Sequence, residues 1–116
     1  MNPNTQFWTL FDELIATSTL IIDRPKGSRH PRYPEMLYPL DYCYLEGTSA
    51  ADSDGIDVWR GSDPAQRFDA LVCTVDMVKR DTEVKLLIGC TADEKQTVLD
   101  FHNEGGKIGA VLVERG

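Results

Sequence analysis

Cysteine, histidine and basic residues are all scarce in this chain. Its three cysteines, Cys43, Cys73 and Cys90, are widely separated among 116 residues, and no two form a Cys-x-x-Cys pair. That argues against a zinc framework, and an odd, scattered set argues against a disulfide scaffold; reduced, buried thiols in a cytoplasmic protein are the expectation. His30 and His102 lie far apart with no partner at ligand spacing, so exposed or capping roles are expected of them. Lys and Arg number 12 against 19 Asp and Glu, a formal net charge of -7. A field of that sign repels phosphodiester backbones and anionic headgroups, so neither nucleic acid nor membrane is an expected partner. No apolar run approaches the length of a membrane span, and no basic segment followed by an apolar one opens the chain, so no secretion signal is expected. There is also no Gly-x-Ser-x-Gly and no P-loop, which leaves serine hydrolases and Walker-type NTPases without support.

What remains is an ordinary globular composition, 41% hydrophobic and 27% charged, sized for one domain over residues 1–116. Phe7, Leu10, Phe11, Leu14 and Ile15 follow the three/four spacing of an amphipathic helix, with Asn4 or Thr5 as its cap. Leu20-Ile21-Ile22 opens a strand, and the proline-bearing segment from Arg24 to Pro34 reads as irregular. Leu37 to Leu45, Ile56 to Trp59, Arg67 to Val78, Glu83 to Cys90 and Ile108 to Val113 read as further strands. The strand from Arg67 to Val78 is apolar on both faces and is expected to be central. Thr91-Ala92-Asp93-Glu94 is a capping box opening a second helix, which Gly105-Gly106 ends. Strands and helices do not alternate regularly, so a parallel doubly wound sheet is disfavoured. The expected fold is mainly β: a small, mostly antiparallel barrel with one N-terminal and one C-terminal helix outside it.

The densest chemistry lies in Asp52-Ser53-Asp54-Gly55-Ile56-Asp57-Val58, just after Tyr38-Pro39-Leu40-Asp41-Tyr42-Cys43-Tyr44. Carboxylates at offsets zero, two and five on a glycine-containing turn can converge on a hard cation. An Asp-rich turn also serves simply to cap its own backbone amides, and tyrosines spaced along a strand also serve as packing. An EF-hand loop is excluded because glycine stands at the fourth place and Ile56 at the fifth. Trp8 and Trp59 are candidates for core packing or for anchors of an interface.

These blocks resemble the soluble family I inorganic pyrophosphatases. That family carries Asp-x-Asp-Pro-x-Asp-Val shortly after Tyr-Pro-x-Asn-Tyr-Gly-Tyr-Ile. It also has Glu-x-Pro-x-Gly-Ser and Lys-Tyr upstream, where this chain has Asp23-Arg24-Pro25-Lys26-Gly27-Ser28 and Arg32-Tyr33. Downstream it has Asp-x-Lys on a strand, matched here by Glu83-Val84-Lys85. The resemblance runs from about Ile22 to Leu87 and implies an OB-like, pyrophosphatase-type barrel. It implies Mg²⁺, with Mn²⁺ as an alternative, held by Asp52, Asp57 and Glu83, with Asp23 as an outer carboxylate. Asp54 matches the position that orients or deprotonates the attacking water. Lys85, Arg32, Tyr42 and Tyr38 would hold phosphate oxygens, with Tyr42 and Lys85 also serving catalysis. The implied partner is a small phosphate compound, and a homo-oligomer is compatible with the sequence. The chain departs from the family in three places. Only four residues separate Tyr33 from Tyr38, where the family has a hairpin with a phosphate-binding arginine, leaving Arg24 or Arg29 as spatial substitutes. Asp76 or Asp81 would have to supply a further metal-binding aspartate. His102-Asn103 stands where the family has a Tyr-Lys pair.

Overall fold

The computed structural model describes residues 2–50 and 55–116. Helix α1, Pro3–Ala16, leads into strands β1 Thr19–Arg24, β2 Asp41–Glu46, β3 Ile56–Arg60, β4 Phe68–Asp76 and β5 Asp81–Ile88, followed by helix α2, Ala92–Asn103, and strand β6, Ile108–Glu114. The fold is mainly β with a helix at each end of the chain, as expected. The sheet, however, is open and not a closed barrel: its order is β1-β2-β3-β5-β4-β6, with β1 and β6 as its two edges. All neighbouring pairs are antiparallel except β3 and β5.

Closure fails because both faces of the sheet are apolar and each is covered. On one face Trp8 of α1 packs on Cys43, Leu45, Val58, Leu71, Leu86 and Ile88, with Phe11 and Ile15 beside it. On the other, Val98 of α2 packs with Trp59, Ala70, Val72 and Leu87, joined by Phe101 and Leu112. Alternate residues of a strand point to opposite faces, so β3 sends Val58 to one helix and Trp59 to the other. A small barrel has one interior to fill, whereas this strand pattern supplies two.

Several boundaries differ from the sequence expectation. The α1 cap is Asn2, whose Oδ1 accepts from Thr5 N at 2.8 Å, with Pro3 in the first turn, where its missing N–H costs no hydrogen bond. The buried face of α1 centres on Trp8 rather than on the expected stripe: Phe7, Leu10 and Leu14 are substantially exposed. Strand β2 begins at Asp41, because Pro39 has no N–H to give a ladder and Leu37 makes only an isolated bridge to Arg29. The Thr91 capping box forms as predicted, Thr91 Oγ1 accepting from Glu94 N and Glu94 Oε1 from Thr91 N. Both tryptophans are core residues, with Trp59 fully buried.

The outer edge of β6 is guarded by a side chain. Ala110 N donates to Asn103 Oδ1 at 3.0 Å, and Asn103 Nδ2 donates to Ala110 O at 3.2 Å. The carboxamide thus occupies the place a neighbouring strand would take, and it blunts an apolar edge that would otherwise template pairing.

Candidate functional site

The parallel pairing of β3 with β5 is what assembles the polar cluster. Its register sets Val58 beside Leu86 and Trp59 beside Leu87, which brings Asp57 alongside Lys85. With a side-chain period of two, Glu83, Lys85 and Leu87 share one face of β5, and Asp57 and Trp59 share the same face of β3. Tyr42 pairs with Trp59 across β2 and β3 and so joins them. The Lys85 ammonium donates to Tyr42 Oη at 2.8 Å, to Asp57 Oδ2 at 2.9 Å and to Glu83 Oε2. Its side chain is 8% exposed, against 10% for Glu83 and 21% for Asp57. A lysine buried to that degree survives as a cation only with such partners. Burial pulls the Lys85 pKa down, but Tyr42, Asp57 and Glu83 together outweigh it and hold it above its ordinary value. Burial raises the Tyr42 phenol, with the Lys85 charge opposing, so Tyr42 is neutral and keeps its proton.

An aromatic wall backs the cluster. The Tyr42 ring lies 4.6 Å from Trp59 and 5.7 Å from Tyr38, and Tyr38 stacks almost parallel to His30 at 5.9 Å. Burial raises the Tyr38 pKa against the Arg24 guanidinium beside it, and the charges of Asp23 and Lys85 also reach its hydroxyl. Arg24 pairs with Tyr42 across β1 and β2, which places it at this end of the sheet.

Of the residues singled out from the sequence, Tyr42, Asp57, Glu83 and Lys85 come together, and Tyr38 stands next to them. Asp23 sits at the β1 bulge and is exposed. Arg32 is exposed on the loop before β2, where its backbone N–H donates to His30 Nδ1 at 3.1 Å. Asp52 and Asp54 lie outside the described residues. Gly55, which follows them, has a φ of +129° and lies against Tyr44, so that a Cβ there would lie 2.9 Å from Tyr44 Cδ2. Among the described residues, no group of three or more His, Cys, Asp or Glu side chains is arranged as a metal site.

His102 departs from the expectation of an exposed or capping residue. It is 8% exposed and its Nε2 accepts from Trp59 Nε1 at 3.0 Å. The indole nitrogen is only a donor, so the imidazole is neutral with its proton on Nδ1. Burial, aided by the nearby Lys85 charge and opposed by Asp57, depresses its pKa to about 4. The sequence does carry a signal for this, because Lys95, Val98 and His102 follow helical spacing and all three are buried. Asn103 is bound to Ala110 and Leu99. Comparison of the sequence with protein-family models finds no match, and comparison with curated proteins finds none either.

Proposed function

We propose that this chain is a cytoplasmic, Mg²⁺-dependent hydrolase of inorganic pyrophosphate or a related phosphoanhydride. The observation that carries the reading is the convergence of Tyr42, Asp57 and Glu83 oxygens on one cationic point, the Lys85 ammonium. Two carboxylates and a phenol around one positive charge form the hard-oxygen environment that suits Mg²⁺, with Mn²⁺ as a substitute. Asp57 and Glu83 would hold the metal together with Asp52 from the preceding turn, and Asp23 would act through water. Bound Mg²⁺ would supply a more acidic water and neutralise phosphate charge. Asp54 takes the remaining role, accepting the proton of the attacking water. Neutral Tyr42 keeps an O–H to donate to a phosphate oxygen, with Tyr38 beside it. Lys85 contributes a point charge, and Arg32 a planar fork that reaches the substrate from its loop.

A second reading is a metal- and anion-binding module of the same shape that does not turn over. It is favoured by the fate of His102 and Asn103, which are bound to Trp59 and to the β6 edge rather than free to grip an anion. Phosphate release from pyrophosphate with Mg²⁺, native against Asp54→Asn, separates the two. Hydrolysis that falls about a hundredfold or more in the variant supports the hydrolase. Silence from both proteins, with Mn²⁺ still bound, leaves the binding module.

A further inference from the structure

The Lys85 ammonium has three N–H donors, and the structure gives it three oxygen acceptors on three different strand positions. No donor is left to offer an arriving anion. We infer that Lys85 is the resident cation of this site, which a divalent metal must displace from Asp57 and Glu83 before the lysine can hold phosphate, so that metal and anion bind in that order. The inference rests on the metal-dependent reading above and adds a gate to it.

Charge and geometry both support the exchange. Two carboxylates face the one ammonium, and a divalent ion carries the charge that matches the pair. The backbone of Lys85 is fixed between β3 and β4, Val72 being its β4 partner, while the four-carbon stem can swing without disturbing either ladder. The Lys85 charge already reaches the Tyr38 hydroxyl, where Arg24 also stands. A released ammonium and the Arg24 guanidinium would then flank that phenol, two cations and a hydroxyl suited to a phosphate group.

The test is Mn²⁺ affinity, read by electron paramagnetic resonance, on the full chain and on Lys85→Met and Lys85→Arg. Removing the competing charge should tighten Mn²⁺ binding about tenfold in Lys85→Met, while Lys85→Arg, which keeps a cation, should not tighten it. Unchanged or weaker binding by a Lys85→Met protein with native circular dichroism would overturn the inference. The native protein gives an independent reading should that variant not fold. A buried, triply bonded ammonium exchanges its protons slowly enough for ¹⁵N-detected observation. Saturating Mg²⁺ should shift the Lys85 signal and remove its protection; a signal that does not move counts against the gate. The two readings fail separately. Metal-displaced Lys85 without pyrophosphate hydrolysis keeps the gate and sinks the hydrolase, and hydrolysis with an unmoved Lys85 signal does the reverse.

Discussion

One buried imidazole should make a separable contribution to the acid sensitivity of this fold. His102 is nearly sealed from water, and its Nε2 lone pair is engaged by the Trp59 N–H. Protonating it would remove that acceptor and bury a cation near Lys85, with Asp57 only partly offsetting the repulsion. The imidazole pKa falls from an ordinary 6.5 to about 4 in the fold, so the unfolded chain binds the proton more readily. Stability from this group is therefore fully present above the unfolded value and is lost as pH falls towards the folded one. Linkage between those two values removes about 2 kcal/mol by about pH 5 and about 3 kcal/mol by about pH 4. Urea unfolding followed by tryptophan fluorescence, between about pH 7.5 and about pH 5, measures it. His102→Gln can still accept from the indole but has no proton to gain, so its stability should vary by about 2 kcal/mol less across that interval. The carboxylates held below their ordinary range, among them Asp12 by Arg115 and Asp41 by the Lys26 backbone N–H, are common to both proteins and cancel in the comparison. Parallel pH profiles for the two proteins would refute the reasoning.

Tyr42→Phe should leave one Lys85 donor unpaired at a cost of about 1–3 kcal/mol, read from urea unfolding, and under the proposed hydrolase reading it should lower pyrophosphate turnover about tenfold or more. Asn103→Ala should uncover the Ala110 N–H and C=O on the β6 edge, so light scattering should show association that rises with protein concentration. Gly55→Ala should destabilise by about 2 kcal/mol or more, because its φ is positive and Tyr44 fills the space; a smaller change in urea midpoint would mean that the turn yields. Cys43 and Cys90, whose thiols burial pushes up to about 11 and about 12, should resist a thiol-specific reagent at about pH 8 until the chain is unfolded.

Elements governed by local chemistry were legible residue by residue. The Thr91 box, the two-faced β4 and the glycine exit from α2 depend on neighbours in sequence, and each lies where its pattern puts it. The edges of the sheet were not legible. Strands apolar on both faces call for cover on both sides of the sheet, but they do not say which strands lie outermost. The α1 stripe misled for a related reason: five apolar residues leave the rotation of the helix undecided, and Trp8, with the largest area to bury, sets it. The helical spacing of His102 with Lys95 and Val98 marks a buried face, but its partner is not legible, because Trp59 lies 43 positions away.

Sequence alone determined the strand content, the α2 capping box and the identity of the acids, tyrosines and lysine, because these follow from periodicity, capping and composition. Only the tertiary structure decided that β3 would lie parallel to β5. That pairing brings Asp57 beside Lys85 although 28 residues separate them; the β2–β3 pairing adds Tyr42, and Glu83 follows from its place two residues before Lys85 on β5. Strand order is fixed by burying two apolar faces at once, a condition on the whole chain that no local run of residues contains.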